Sequence, residues 1–203
     1  MEANIVVMGT ESVGKSALTV RLLTRRFIGE YGDIESVYTH RFIVDGREIA
    51  VNIWDSPFSE DVSLKTALFK RKVQWADSFI LAYSICDRAS FNAVTRLLHV
   101  IKSVRGCTHA DKEPSVVIVG NKRDLHHRRT VLSEEGRLLA LNAGCLFYEV
   151  SAAEDYHGVL AVFHGLLDSM KDAKLSARRP CMGLKGIVKS VSAVFARRRT
   201  DSI

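Results

Sequence analysis

Apolar runs alternate with amphipathic stretches along most of this 203-residue chain. Apolar runs predict strands at 5–8, 78–84, 115–120 and 145–150, and runs rich in β-forming residues predict strands at 38–44 and 48–54. Apolar residues three or four positions apart predict helices from residue 15 onward and at 62–74, 90–105, 133–143 and 158–172, the third of them capped by Ser90. Asp45-Gly46 predicts a hairpin between the second and third strands. Because strands and helices alternate after this hairpin, we predict an α/β fold with a six-stranded, mostly parallel sheet and helices on both faces.

The positive charge is concentrated near the C-terminus. Residues 171–203 carry nine basic and two acidic side chains, whereas the other 20 basic and 21 acidic residues nearly cancel within 1–170. The overall charge of +6 therefore belongs to the last part of the chain. We predict one domain at 1–172 and a basic C-terminal extension at 173–203.

The N-terminal residues and the cysteines indicate an intracellular protein. No basic segment precedes an apolar stretch at the start, and no run approaches about 18 apolar residues, so we expect neither a signal peptide nor a transmembrane helix. The four cysteines have no paired or metal-like spacing. We expect Cys86 and Cys145 to be reduced, buried thiols in a cytoplasmic protein.

The segment between the first strand and the first helix carries a phosphate-binding pattern. Its sequence is Gly9-Thr10-Glu11-Ser12-Val13-Gly14-Lys15-Ser16, followed by Ala17. The spacing fits G-x-x-x-x-G-K-[ST], in which backbone N–H groups and a helix N-terminus hold phosphates. Lys15 would reach the β- and γ-phosphates, and the Ser16 hydroxyl would ligate Mg²⁺. The alternative, a glycine-rich turn that only caps a helix, is disfavoured by the strand before it and the helix after it.

A second polar motif follows the strand at 115–120. The residues Asn121-Lys122-Arg123-Asp124 place a carboxylate at the end of this strand. A carboxylate at Asp124 can accept hydrogen bonds from the guanine N1–H and exocyclic amine, which adenine cannot offer, and a mismatched base would leave buried polar groups unpaired. An ordinary polar turn is the alternative for this motif alone. Together with the phosphate loop, the motif resembles the N-K-x-D signature of the Ras superfamily of small GTPases.

The resemblance covers residues 1–172 and implies a P-loop NTPase fold that binds GTP or GDP with Mg²⁺. It places Asn121 on the other edge of the base, the Lys122 stem over the ring, and the backbone of Ser151-Ala152-Ala153 at the guanine O6. Phe27 matches an aromatic residue that packs on the nucleotide. The implied base-binding set is Phe27, Asn121, Lys122, Asp124, Leu125, Ser151, Ala152 and Ala153. The segments 15–31 and 75–77 are most similar to the RERG and RasL subfamily, and above all to its RERG-like members.

Two segments depart from the superfamily pattern at the positions of the switches. In the first, Asp33 stands where a threonine completes the Mg²⁺ shell; a carboxylate is a possible Mg²⁺ ligand but brings negative charge toward the γ-phosphate. In the second, Asp55 would hold Mg²⁺ through water, Phe58 replaces a glycine, and Ser59 replaces the glutamine that orients the attacking water. Glu11 also lies in the phosphate loop, next to the space for an arginine finger.

These departures predict a signalling protein that binds GDP and GTP and hydrolyses GTP weakly, with Lys15 and Ser59 at the catalytic positions. Alternatively, Glu11 points to solvent and Ser59 is tolerated. A second hypothesis is a pseudo-GTPase scaffold with static nucleotide. A third, an ATP-using P-loop kinase, is disfavoured by the motif at 121–124. Partners would be effector or regulator proteins that the sequence does not name, and we expect a monomer without direct nucleic-acid binding.

The C-terminal extension has no prenylation box, because Thr200 stands at the fourth position from the end. Apolar residues at helical spacing and basic residues away from them predict a basic amphipathic helix over 183–199. Such a helix could lie on an anionic membrane or in a partner's groove. The alternatives are a disordered tail or a helix docked on the domain. The arginine cluster 197–199 could also be a nuclear address, so we expect the cytoplasm, a membrane surface or the nucleus as the location.

Overall fold

A computed structural model of the chain describes residues 2–29, 35–55, 67–106 and 114–177, and the side chains up to residue 173 within these ranges. Its strands are β1 (Glu2–Met8), β2 (Ser36–Val44), β3 (Arg47–Asp55), β4 (Ser78–Ser84), β5 (Ser115–Asn121) and β6 (Leu146–Glu149). Its α-helices are α1 (Lys15–Thr24), α2 (Ala67–Trp75), α3 (Arg88–Gly106), α4 (Ser133–Ala143) and α5 (Tyr156–Ala177). A short 3₁₀-helix at Arg123–Arg128, which the sequence did not predict, follows β5.

The sheet has six strands in the order β2-β3-β1-β4-β5-β6. Only β2 and β3 are antiparallel, and all other neighbouring strands are parallel, which confirms the predicted fold class. Asp45 and Gly46 join β2 and β3 with φ angles of 52° and 70°. Positive φ at both positions is the type I′ geometry that matches the twist of a hairpin, which is why this dipeptide predicted the turn correctly.

Helices cover both faces of the sheet. Side chains of α1 and α5, such as Leu22 and Phe163, form one buried cluster with Ile5 of β1. Side chains of α2, α3 and α4 form the second cluster with Val6, the next residue of β1. Successive residues of a strand point to opposite faces, so an almost continuous apolar strand such as β4, which is buried throughout, needs helices on both sides.

The prediction that Ser90 caps the third helix is wrong. The helix begins at Arg88, and the carboxylate of Asp87 accepts a hydrogen bond from the Ala89 N–H at 2.9 Å. The buried Ser90 hydroxyl instead donates to the Asp87 carbonyl at 2.7 Å and accepts from the Ser84 N–H at 3.1 Å. A serine caps a helix only when its hydroxyl is not bonded elsewhere. Here the Ser90 hydroxyl is bonded to the backbone of Ser84 at the end of β4 and to the Asp87 carbonyl.

Other boundaries shift by a few residues. The last strand begins at Leu146 rather than 145, and α5 extends the predicted last helix at both ends. The boundary proposed at residue 172 stays a prediction, and residues 62–66 of the predicted second helix lie outside the described residues. Neither Cys86 nor Cys145 forms a disulfide, as expected, but both are half-buried rather than buried. Among the described helices, none combines the length and apolar character needed to cross a bilayer.

We predict that Gly136→Ala destabilises the protein. A Cβ at Gly136 would lie 2.4 Å from a ring carbon of Phe147 and 2.6 Å from the Tyr83 hydroxyl, so α4 would have to move away from the sheet. Overpacking of this kind costs about 1–3 kcal/mol, more than the roughly 0.5–1 kcal/mol that alanine gains over glycine inside a helix. Urea unfolding of the wild type and the variant measures the difference.

The neighbouring Arg137→Ala is the matched control, because Arg137 is exposed on the same helix. Its free energy of unfolding should stay within about 0.5 kcal/mol of the wild type. Equal stability of the two variants would show that the contact between α4 and the sheet is not close-packed.

Candidate functional site

The loop between β1 and α1 requires glycine at two positions. Gly9 has φ of 155° and Gly14 of 93°, and Ser12 between them has φ of 58°. A Cβ at Gly9 would lie 2.2 Å from the Ala82 carbonyl oxygen, and a Cβ at Gly14 would lie 2.4 Å from the Asn121 Nδ2. The loop therefore packs so closely on β4 and on Asn121 that only glycine fits at its two ends.

The side chain of Lys15 folds back over this loop. Its buried ammonium donates to the Thr10 carbonyl at 2.8 Å, and its charge lies close enough to Asp55 to act on that carboxylate. The Thr10 hydroxyl is buried with no hydrogen-bond partner among the described residues. A buried cation beside the N-terminus of α1 makes a cradle that can bind an anion such as a phosphate.

The remaining members of the predicted loop set divide by burial. Glu11 and Ser12 are exposed, whereas Val13 and Ala17 belong to the core. The exposure of Glu11 agrees with the interpretation in which its carboxylate points to solvent.

Asp55 and Ser16 form the part of the site that can hold a divalent cation. Asp55 ends β3 opposite Val7 of β1, and the Ser16 hydroxyl of α1 donates a hydrogen bond to its carboxylate. Burial raises the pKa of Asp55, while this hydrogen bond and the Lys15 charge act in the opposite direction. Its Oδ1 is buried without a partner among the described residues. A buried carboxylate oxygen beside a hydroxyl is a donor set that Mg²⁺ prefers.

One buried amide joins the loops at this edge of the sheet. Asn121, at the end of β5, donates from Nδ2 to the Val13 carbonyl at 2.8 Å. Its Oδ1 accepts from the Ala152 N–H at 3.0 Å. The phosphate loop and the loop at 151–153 are thus held together through β5. The Ala152 N–H, which the resemblance assigned to the guanine O6, donates to Asn121 here.

Asp124 is positioned by Ser151. The Ser151 hydroxyl donates to the Asp124 Oδ1 at 2.6 Å and accepts from the Glu154 N–H at 3.2 Å. Lys122 has a left-handed φ of 65°, and this turn starts the 3₁₀-helix that carries Asp124. The structure therefore brings the motif at 121–124 and the loop at 151–153 together.

The three remaining predicted base contacts lie at the surface of the site. Leu125 and Ala153 are half-buried, and Phe27 is 46% exposed after the end of α1. The exposed Phe27 ring is accessible to a ligand. Two other predicted residues, Asp33 and Ser59, lie outside the described residues, as does Phe58.

The sequence analysis did not identify two arginines near the end of α1 as part of this site. Arg21 of α1 donates from Nη2 to the Glu154 carbonyl at 3.1 Å. The guanidinium of Arg25, which caps the C-terminus of the helix, lies 5.2 Å from the centre of the Tyr156 ring at the start of α5. These contacts hold the loop at 151–155 and the start of α5 against the end of α1. The sequence has no signal for them, because only the fold brings Glu154 and Tyr156 close to α1.

Comparison with known proteins agrees with this geometry. The sequence model that describes the Ras family matches residues 4–172 of this chain. The Ras-related and estrogen-regulated growth inhibitor-like protein of Bos taurus is 39% identical over 202 residues, which cover 98% of both chains. Ras-like protein family member 11B of Danio rerio is 36% identical over 203 residues, covering 98% of this chain and 78% of that protein. The human Ras-related and estrogen-regulated growth inhibitor is 35% identical over 175 residues, or 86% of this chain and 84% of that protein. The chain belongs to the Ras family.

Proposed function

We propose that this protein binds GDP and GTP with Mg²⁺ through the residues assembled at the carboxyl edge of the sheet. The Ras family as a whole binds GTP and signals through it. The main support for this proposal is the position of the Asn121 amide. Its two hydrogen bonds hold the phosphate loop and the loop at 151–153, the predicted guanine contact, together. A bound nucleotide would bridge the same two loops with its phosphates and its base.

Each part of the nucleotide has a chemical counterpart in the chain. The N–H groups at the start of α1 and the Lys15 ammonium would bind the phosphates. Ser16 and Asp55 would hold Mg²⁺, Asp55 through water, and Asp33 is a further candidate ligand. The bound Mg²⁺ would neutralise charge that develops on the phosphate oxygens. The Asp124 carboxylate, held by Ser151, would read the base, and Phe27, Lys122, Leu125 and Ala153 would enclose it.

We predict that Asp124→Asn exchanges guanine selectivity for xanthine selectivity. An asparagine amide donates where the carboxylate accepts, so it opposes the exocyclic amine of guanine and matches the carbonyl of xanthine at the same position. GDP affinity should fall by roughly two to three orders of magnitude, because a buried donor faces a donor, and XDP affinity should rise. Competition titrations with fluorescent GDP against unlabelled GDP and XDP measure both effects.

Glu154→Gln is the control for this change, because it also neutralises one carboxylate near the pocket but at an exposed position. It should leave both affinities nearly unchanged. If Asp124→Asn binds GDP as tightly as the wild type does, Asp124 does not contact the base.

We further propose that GTP hydrolysis is slow. The support is in the sequence: Ser59 and Phe58 replace the glutamine and glycine of the second switch, and Asp33 replaces the threonine of the first. A serine is too short to orient the attacking water as a glutamine amide does. Binding and hydrolysis would therefore be separated in this protein, with the nucleotide held and turned over rarely.

We predict a single-turnover rate below the roughly 3 × 10⁻⁴ s⁻¹ typical of an unassisted Ras-type GTPase. Ser59→Gln should raise it about tenfold, less than the roughly 10²–10⁴-fold that a well-positioned proton-transfer group supplies, since Asp33 and Phe58 remain. Release of labelled phosphate from preloaded protein measures the rate. An ordinary intrinsic rate in the wild type, or no gain in the variant, contradicts the proposal.

The second candidate is a scaffold that holds nucleotide statically, and the same three substitutions favour it. The nucleotide content of the purified protein separates the two functions. A slow switch converts bound GTP to GDP over hours and exchanges it, whereas a static scaffold keeps one nucleotide without exchange.

We propose that the basic C-terminal extension binds anionic membranes from the cytoplasmic side. We predict that replacing Arg197, Arg198 and Arg199 together with alanine weakens binding of the full chain to phosphatidylserine vesicles about 100-fold, because each arginine contributes about 1 kcal/mol at such a surface. Co-sedimentation measures the affinity, with phosphatidylcholine vesicles as the control. Wild-type binding that persists undiminished in high salt would contradict the electrostatic part of this proposal.

A further inference from the structure

Four side chains form a compact cluster around Trp54, the residue that precedes Asp55 in β3. We call Glu35, Trp54, Lys72 and Trp75 the tryptophan brace. The Lys72 ammonium lies 2.7 Å from the Glu35 Oε1, and the Trp54 Nε1–H donates to the same oxygen at 2.8 Å. The ammonium also lies 5.5 Å from the centre of the Trp54 ring. The rings of Trp54 and Trp75 meet edge to face, with centres 5.1 Å apart.

The burial of Lys72 shows that this ion pair is more than a surface contact. Only 9% of the Lys72 side chain is exposed, against 39% of Glu35. A nearly buried ammonium is stable only beside a negative charge or an aromatic face, and Lys72 has both. The hydrogen bond from Lys72 lowers the pKa of Glu35, so the carboxylate stays charged at neutral pH.

The brace joins helix α2 to the start of β2 and the end of β3, which the β2–β3 ladder already pairs with each other. Glu35 directly precedes β2, Trp54 directly precedes Asp55 at the end of β3, and Lys72 lies on α2. In the β2–β3 register, Ser36 is opposite Asp55 and Val37 is opposite Trp54. Glu35 therefore ends the first switch segment, whereas Asp55 and α2 flank the second. The brace therefore links the end of the first switch segment to α2. It does so through Trp54, which directly precedes Asp55, the carboxylate that can hold Mg²⁺.

We propose that Lys72 is a positioning residue for the nucleotide switch: through Glu35 and Trp54 it makes the end of the first switch and helix α2 change position together when the nucleotide changes. This inference rests on the proposed guanine-nucleotide binding. The contacts that support this role are the ion pair with Glu35 and the position of the ammonium over the Trp54 ring. A partner that binds over α2 would thereby sense the first switch as well.

Intrinsic fluorescence gives a direct test, because the chain has only two tryptophans and both belong to the brace. The full-length protein is loaded with GDP or with the non-hydrolysable analogue GppNHp, and tryptophan emission is compared. Bound nucleotide is quantified separately, by chromatography after acid release. We expect the wild type to show different emission spectra in the two states.

Lys72→Met keeps the aliphatic length of the side chain but removes the charge, and it should abolish the difference between the two spectra. Lys72→Arg should restore most of it, which a role in packing alone does not explain. Lys70→Met is the matched control, because Lys70 is exposed on the same helix and should leave the difference intact. If Lys72→Met does not fold, Glu35→Gln removes the same charge pair from the other side and should give the same loss.

The outcomes separate this inference from the proposed function. A wild type that carries no guanine nucleotide overturns both. A wild type that binds both nucleotides with identical emission, or a Lys72→Met variant with the full wild-type difference, overturns the role of Lys72 alone.

Discussion

The site depends on one buried side chain, the amide of Asn121. Its hydrogen bonds to the Val13 carbonyl and the Ala152 N–H satisfy two backbone groups that the surrounding loops have removed from water. A buried polar group left unpaired costs about 1–3 kcal/mol, so neither loop can shift without a penalty. The same contact explains Gly14, since a Cβ there would lie 2.4 Å from the amide nitrogen. The Asn121 side chain, the phosphate loop and the loop at 151–153 therefore pack together as one unit, although they are far apart in the sequence.

The parallel sheet brings these loops to one edge before any side chain acts. β1, β3, β4 and β5 all run in the same direction, and their registers place Asp55 beside Val7 and Asn121 beside Ser84. β3, β4 and β5 each end in a buried polar residue at this shared edge, namely Asp55, Ser84 and Asn121. The two opposite charges of the site, Lys15 and Asp55, meet there, and burial strengthens their interaction.

The sequence predicted the elements well where the pattern was long and uninterrupted. The strand at 78–84 and the helix at 133–143 have the predicted bounds, because apolar periodicity determines both. Prediction failed where tertiary contacts decided the outcome. Ser90 is bonded to the end of β4 instead of capping α3. Lys72 has the sequence pattern of a surface charge on an amphipathic helix, and only the fold shows that it is buried against Trp54 and Glu35.

The residues proposed for nucleotide binding and those proposed for nucleotide hydrolysis differ in how much of their environment the fold defines. Two of the residues proposed to bind the nucleotide, Lys15 and Asn121, are buried and held by hydrogen bonds at the sheet edge. The residues expected to govern hydrolysis, Asp33 and Ser59, were identified from the sequence alone and lie outside the described residues. A substitution at Gly14 or Asn121 would disrupt two loops at once, because the amide of Asn121 contacts both loops and leaves no room for a Cβ at Gly14. Retention of Gly14 and Asn121 is therefore what the packing of this sheet edge requires.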